Sequence, residues 1–208
     1  KIKGLKGIDL SNKSQEELSA LFRETLKNGM HGLCYSAYEE GQEPGSVLTK
    51  EQIRRRMAII APYTRWIRSF SCIEGNELIP VVAREFGLNT LVGAWLGDDK
   101  DLIEEEIAGL VKLAKEGYVD IAAVGNEVMY RKDLTEEELL GYIARVKEAL
   151  PDTTVGYVDA YYEFSVRPNI TAACDVILAN CYPYWESCHI DYSLMHAKQM
   201  YYQALHAG

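Results

Sequence analysis

The sequence has few positive charges, no long apolar run and no glycine-rich nucleotide-binding motif. Lys and Arg number 22 against 31 for Asp and Glu, so the formal net charge is −9. This balance offers no basic surface for nucleic acid. No apolar run reaches the roughly 18 residues that a membrane span needs. No Gly-x-Gly-x-x-Gly segment follows the first predicted strand, which argues against a dinucleotide-binding fold.

Cysteine and histidine are sparse and poorly spaced for ligand binding. The 5 cysteines are odd in number and widely separated, so we expect no disulfide framework. The 4 histidines show no ligand spacing. Cys181 and Cys188, followed by His189, lack the short spacing of a metal-binding pair. We therefore expect neither a metal nor another cofactor. The first residues form no secretory signal, and the compartment stays open.

Short apolar runs alternate with amphipathic segments along the chain, with no linker between two halves. At 208 residues and 48% hydrophobic composition, the chain favours a single domain over residues 1–208. An N-terminal helix over 11–29 precedes the first strand. Strands are predicted over 31–38, 63–69, 90–95, 119–127, 154–158 and 175–180. Helices are predicted over 49–61, 78–86, 102–114, 135–150, 162–173 and 194–207, and Pro168 weakens the prediction for 162–173.

Strict strand–helix alternation predicts an α/β fold with a parallel sheet. The strand spacing of about 29 residues matches a (β/α)₈ TIM barrel, which has about 250 residues in eight units. The sequence supplies about six of those eight units, so we expect a barrel that is incomplete at its C-terminal side. Its two open edges predict self-association. An open six-stranded doubly wound sheet remains the alternative.

The stretch 119–127 is a short apolar run that ends at Asn126 and Glu127. Carboxyl ends of parallel strands are where α/β folds carry their chemistry, so we expect Glu127 to be a catalytic carboxylic acid. Aromatic and neutral polar residues follow other strands, and flat rings with hydrogen-bonding groups suit a sugar. The residues expected to bind substrate are Tyr38, Arg68, Asn126, Asp159, Tyr161, Asn180, Tyr182, Tyr184 and Trp185.

Simpler roles remain open for the same residues. Glu127 would also suit the start of the next helix, or a pairing with Arg131. Arg68 would suit a purely structural partnership with a buried carboxylate. The aromatic run from Tyr182 to Trp185 would suit loop packing.

Five segments carry a resemblance to glycoside hydrolase family 17, the β-1,3-glucanases and related β-1,3-glucan transglycosylases. Val124 to Arg131 resembles that family's acid/base signature. The segments 32–38 and 66–70 resemble its first and second strands, and the segments 158–162 and 180–185 its fifth and sixth. The likeness runs from about residue 31 to the end, with the motifs in the right order on consecutive strands.

The resemblance implies a retaining enzyme that acts on β-glucan, with Glu127 as general acid/base and Asn126 bound to the sugar 2-hydroxyl. The family's nucleophile is a Glu in a Glu-Thr-Gly-Trp-Pro context on the seventh strand, and these 208 residues contain no such motif. We expect that nucleophile to lie outside this chain and the 208-residue piece to be inactive alone. Hydrolysis, transglycosylation and non-catalytic glucan binding stay as alternatives.

Overall fold

The computed structural model describes residues 10–208 and shows six strands that alternate with helices. The strands are β1 (Met30–Cys34), β2 (Thr64–Ser69), β3 (Asn89–Ala94), β4 (Ile121–Asn126), β5 (Thr154–Ala160) and β6 (Val176–Asn180). The helices are α1 (Gln15–Asn28), α2 (Lys50–Ile60), α3 (Leu78–Glu85), α4 (Lys100–Lys115), α5 (Val128–Arg131), α6 (Glu136–Ala149), α7 (Glu163–Val166), α8 (Pro168–Ala173) and α9 (Ile190–Ala207).

The sheet order is β1-β2-β3-β4-β5-β6, and every neighbouring pair is parallel. A doubly wound sheet requires the strand order to reverse at a switch point. No reversal occurs here, so the doubly wound alternative is wrong. The strands form a curled half-barrel, which confirms the expected α/β barrel class with six units present.

Side-chain caps fix the start of several helices as the sequence predicted. The hydroxyl of Ser14 accepts a hydrogen bond from the Glu17 amide, and the Glu17 carboxylate accepts one from the Ser14 amide at 2.7 Å. Thr135 and Glu138 make the same reciprocal pair at the start of α6. Each such box satisfies two amides that a helix N-terminus would otherwise leave unpaired.

Several elements differ from the sequence prediction. The first strand ends at Cys34, four residues before the expected end at 38. The single helix expected over 162–173 is two short helices, because Pro168 starts α8 and cannot continue the helix before it. The last helix begins at Ile190, four positions before the expected 194, since the His189 ring accepts from the Asp191 amide and caps it. The short helix α5 after Glu127 was not predicted.

The core lies between the sheet and its outer helices. Alternate strand residues pack under the helices, as period-2 side-chain geometry requires. Val92, Ala122 and Val155 belong to the larger buried cluster with α4 and α6. Ile67 belongs to a second cluster with residues of α2 and α3. The opposite strand face is concave, and a cavity of about 630 Å³ reaches it.

A glycine on β5 lets the neighbouring strand β6 come unusually close. A Cβ on Gly156 would lie 2.4 Å from the Val176 carbonyl oxygen, which is too close for any real side chain. Gly156 and Val176 are register partners, so this contact fixes how β6 lies on β5. The glycine is therefore required by the approach of β6.

Both outer strands have a free side. Among residues 10–208, β1 pairs only with β2 and β6 only with β5. Self-association through these edges stays a prediction. None of the helices within residues 10–208 combines the length and apolar character needed to cross a membrane.

Gly156→Ala should lower the free energy of unfolding by about 2–3 kcal/mol, because the added methyl overpacks a site with no room. Gly141→Ala is the matched control, since a Cβ there meets nothing within 4 Å in the exposed middle of α6. That control should be neutral or more stable by roughly 0.5–1 kcal/mol. Urea unfolding of both variants checks the difference, and equal stabilities would contradict the packing described.

Candidate active site at the C-terminal end of β4

The backbone after β4 takes a conformation that is rare outside glycine. Glu127 has φ 54° and ψ 31°, and Gly125 before it has φ 88°. A left-handed non-glycine residue costs roughly 1 kcal/mol or more and tends to occur at functional sites. The register between β4 and β5 also shifts between Ala123 and Asn126. The Glu127 amide donates to the Val158 carbonyl at 2.8 Å and holds this turn on β5.

The Glu127 side chain lies in a cavity of about 400 Å³ at the ends of β4, β5 and β6. Its Oε1 accepts a hydrogen bond from Asn180 Nδ2 at 2.7 Å. The carboxylate makes no capping bond to α5, so the helix-cap alternative is wrong. Arg131 pairs instead with Asp133 at 2.6 Å, so the ion-pair alternative is wrong as well.

Two arginines hold the residue that precedes Glu127. Arg68 Nη2 donates to Asn126 Oδ1 at 2.5 Å, and Arg131 Nη1 donates to the Asn126 carbonyl oxygen. Arg131 also donates to the Leu96 carbonyl at 3.0 Å. Arg68 therefore engages an amide, and not the buried carboxylate that the sequence left open. Its Nε is buried and has no partner among residues 10–208.

Asp159 lies beneath the site, and the expectation that it binds substrate is corrected. Its side chain is fully buried and accepts from the amides of Met129 at 3.2 Å and Tyr130 at 3.4 Å. The Tyr157 hydroxyl donates to the same carboxylate. Burial raises the pKa of Asp159 and, still more, that of Tyr157. Asp159 is thus a positioning residue for the first turn of α5.

Aromatic side chains wall the cavity beside Glu127. Tyr161, Tyr182 and Trp185 line it, and Trp185 is 76% exposed at its mouth. Burial, and then the nearby Glu127 carboxylate, raise the pKa of Tyr182. The loop after β6 is closed by its own backbone bonds, such as that from the Trp185 amide to the Tyr182 carbonyl at 3.1 Å. The rings therefore lie on a loop that is closed by its own backbone hydrogen bonds.

Of the predicted substrate-binding residues, Arg68, Asn126 and Asp159 do not line this cavity, and neither do two of the predicted tyrosines. Tyr38 lines a second cavity of about 530 Å³, formed by the segments after β1, β2 and β3, and its hydroxyl accepts from Asn76 at 3.4 Å. Tyr184 is 83% exposed and packs edge-on against Trp185 outside the cavity lining. The single ring of strand-end residues that the sequence suggested is therefore two separate cavities.

Glu186 is a cavity residue that the sequence reasoning missed. It shares the lining with Glu127, and its carboxylate lies 2.7 Å from His196 Nε2. Burial, and then the neighbouring Glu186 carboxylate, raise the pKa of Tyr161. The sequence does contain a sign of this role, because Glu186 directly follows the aromatic run 182–185 that was predicted to bind substrate. Among residues 10–208 no group of three or more His, Cys, Asp or Glu side chains is placed to hold a metal ion.

The site thus combines a carboxyl group, neutral amides and exposed rings. The family model of the BtgE/BtgC glycoside hydrolase domain matches residues 32–207. The chain belongs to this glycoside hydrolase family. The match begins within β1, and α1 lies before it. The BtgE/BtgC domain is therefore a glycosidase-type enzyme domain in which Glu127 occupies the C-terminal barrel rim, where catalytic groups of such barrels are found.

Solved structures support the same assignment. Two structures of a Rhizomucor miehei β-1,3-glucanosyltransferase match this BtgE/BtgC domain with a TM-score of 0.75 and 26% sequence identity. One is described as glycoside hydrolase family 17, and the other is an active-site mutant in complex with laminaritriose. Each match covers 87% of this chain and 68% of the Rhizomucor chain. Comparison with the curated proteins finds no matching sequence.

Asp159→Asn should lower the free energy of unfolding of the BtgE/BtgC domain by about 1–3 kcal/mol, because an NH₂ group replaces one of the two acceptor oxygens among buried donors. Tyr157→Phe, which removes only the hydroxyl of the same network, should cost about 1 kcal/mol. The double variant should lose less than the sum of the single variants, since they share partners. Urea unfolding of all three checks this, and full additivity would disprove the shared network.

Proposed function

We propose that this domain is part of a retaining glycoside hydrolase family 17-type enzyme that acts on β-1,3-glucan, with Glu127 as the general acid/base. The observation that carries the proposal is the Glu127 carboxyl group, which opens into an aromatic-walled cavity at the end of β4. We also propose that residues 1–208 belong to one catalytic barrel domain, with α1 preceding its first strand.

Glu127 would protonate the glycosidic oxygen as the bond breaks, and would later take a proton from the incoming water or sugar hydroxyl. Asn180 supports this role, because its amide donates to Oε1 of this cavity residue, while Oε2 accepts no hydrogen bond within residues 10–208. The proton moves between that second oxygen and the substrate oxygen, so the group returns to its first state after each cycle.

Asn126 would donate to a sugar hydroxyl next to the reacting carbon. Its Oδ1 is already engaged by Arg68, so Nδ2 is the atom left to donate, and it has no hydrogen-bond partner among residues 10–208. A hydrogen bond to the 2-hydroxyl that strengthens in the transition state favours the reaction itself over ground-state binding. Arg68 thus orients the amide rather than the substrate.

A retaining mechanism needs a second carboxylate about 5–5.5 Å from the first. We do not assign that role within residues 10–208. Glu186 shares the cavity, but Tyr161 and His196 already bind it, and we propose that it accepts hydrogen bonds from sugar hydroxyls. Glu163 is engaged by Arg167 at 2.8 Å.

Transglycosylation is the second candidate activity. The Rhizomucor miehei neighbour is a glucanosyltransferase, which favours transfer to a sugar for this chain too. Hydrolysis and transfer share the covalent intermediate and differ only in whether water or a sugar hydroxyl accepts the glycosyl group. The exposed Trp185 ring at the cavity mouth supports transfer, because it offers an acceptor sugar an apolar face.

Glu127→Gln should lower the rate of laminarin cleavage or transfer by the complete gene product by at least 10²-fold, roughly the smallest contribution of a general acid. Gln keeps the size and polarity of the side chain but has no proton to donate as an acid. Glu148→Gln, on the exposed face of α6, is the control and should retain full activity. Product analysis by chromatography separates shorter from longer oligosaccharides.

Two outcomes would count against the assignment. A loss smaller than about 10²-fold would remove Glu127 from the acid/base role. Laminaritriose binding by a complete gene product with no turnover of laminarin would favour the non-catalytic glucan-binding alternative.

Trp185→Ala should weaken laminaritriose binding about tenfold, because an exposed ring that packs on a sugar contributes roughly 1–1.5 kcal/mol. The measurement is isothermal titration calorimetry on the Glu127→Gln protein, in which turnover does not interfere. Tyr192→Ala removes an aromatic side chain of 59% exposure that does not line the cavity. That control should bind within about twofold of the parent, and equal effects of the two substitutions would rule out a specific platform.

A further inference from the structure

Glu106 is a buried carboxylate that the proposed reaction does not use. It lies on α4, is 2% exposed, and lines the second cavity. Its carboxylate accepts from the Ser71 hydroxyl and from the Cys72 amide, the latter at 2.7 Å. The backbone amide of Trp95 also lies close enough to favour its charged form. One carboxylate therefore contacts the segments that follow both β2 and β3.

The segment after β2 has little freedom to move away from α4. A Cβ on Gly109 would lie 2.6 Å from the Cys72 carbonyl oxygen, so helix and segment are in direct backbone contact. The Cys72 thiol donates to the Gly93 carbonyl at 3.4 Å and ties the same segment to β3. A change in the hydrogen bonds of Glu106 should therefore shift these segments, because the close contacts leave them little room to adjust independently.

Both segments carry an aromatic ring that lies under an arginine. The Arg68 guanidinium lies 4.5 Å from the Phe70 ring centre, and the Arg131 guanidinium lies 4.4 Å from that of Trp95. These are the two arginines that donate to Asn126, one to its side chain and one to its carbonyl oxygen. Attraction between a guanidinium and the face of an aromatic ring favours one orientation of the arginine side chain.

We propose that ionised Glu106 is a positioning residue that fixes Asn126, and through it Glu127, by way of the two arginine–aromatic stacks. The role in catalysis rests on the function proposed above, whereas the structural coupling between Glu106 and Asn126 does not. Protonation turns one Glu106 oxygen from an acceptor into a donor, which weakens the hydrogen bonds that Ser71 and Cys72 donate and so loosens the segments that carry both rings.

The surroundings of Glu106 support such a change near neutral pH. Burial raises the pKa of Glu106 to about 7, and the negative charge of Glu74 acts in the same direction. The hydrogen bonds that Glu106 accepts lower its pKa, but by less than burial raises it. The Cys72 thiol beside it has a raised pKa because of burial, with Glu106 and Glu77 nearby, and stays neutral. Because the folded-state pKa lies above that of an ordinary glutamate, ionisation costs folding free energy as pH rises through about 7.

The other groups that face Glu106 do not compensate its charge. Asp98 and Asp99 line the same cavity, and among residues 10–208 its lining contains no Lys, Arg or His. On α4 itself, the positions one turn away are uncharged: Leu102, Ile103, Gly109 and Leu110. Burial raises the pKa of Tyr35, a residue of the same lining, to about 12, so its hydroxyl carries no charge near pH 7.

The direct test is the side-chain amide signal of Asn126 in protein labelled with ¹⁵N-asparagine, assigned by its loss in Asn126→Asp. Its chemical shift should titrate with a midpoint near pH 7 in the parent protein. The titration should be absent in Glu106→Gln, because Gln copies the protonated state at every pH. Glu105→Gln, the exposed neighbour on α4, should keep it.

The rate test uses the complete gene product and laminarin. The ratio of kcat between parent and Glu106→Gln should be about tenfold at pH 8 and approach one below pH 6, with KM within twofold. A merely structural role would give a ratio independent of pH. Ser71→Ala, which removes one donor and leaves Glu106 in place, should lower kcat at pH 8 by a smaller factor.

An Asn126 signal that does not titrate near pH 7, or that titrates equally in Glu106→Gln, would overturn the proposal. If Glu106→Gln does not fold, the titration of the parent and of Ser71→Ala decides, and a flat parent curve overturns it. A complete gene product that turns over no glucan defeats the proposed function alone, and the Asn126 titration then still supports or refutes the coupling.

Discussion

The turn at the end of β4 is the constraint on which the candidate site depends. Gly125 and Glu127 both have positive φ, and a side chain at Gly125 would lie 2.7 Å from Val128 Cγ2. This strained turn is held from several sides: β5 below, the arginines beside Asn126, and Asn180 on the carboxylate. Strain of this kind persists only where surrounding contacts over-determine it. The position of the Glu127 carboxyl group is therefore a property of the whole rim.

The chemistry of those contacts explains how a strongly acidic chain builds the site. The positive charge near Glu127 comes from two arginines, and neither of them pairs with the Glu127 carboxylate. Arg68 binds an amide and stacks on Phe70, while Arg131 binds carbonyl oxygens and Asp133. The guanidinium groups thus act as rigid, planar connectors, a role that Lys cannot fill because it lacks the fork of donors. Glu127 stays free of a salt bridge, as an acid that must exchange a proton requires.

Sequence patterns predicted the elements and the rim position of Glu127, because periodicity and capping boxes are local. They did not predict which side of a strand end faces the cavity. Asp159 lies on β5 on the same side as Val155 and Tyr157, which pack under the helices. The register shift after Ala123 turns Asn126 and Glu127 to the other side. A shift of one residue exchanges the two faces. Gly125 marks a place where the backbone can turn, but the apolar pattern of β4 does not show which face the next side chains take. The division of the strand ends into two cavities was also beyond the sequence, since the segments after β2 and β3 are placed by contacts with α4.

The candidate site is built on three adjacent strands, β4, β5 and β6, which pair with one another in that order. The hydrogen-bond partner of the Glu127 carboxylate, Asn180, nevertheless lies on β6, the outer strand of the sheet. An outer strand has hydrogen bonds on one side only and frays more readily than a central strand. What stiffens β6 is its close contact with β5 at Gly156, together with the following loop, which is closed by its own backbone hydrogen bonds. The orientation of the carboxyl group therefore depends on packing about four residues away, where Gly156 allows the β6 backbone to come close.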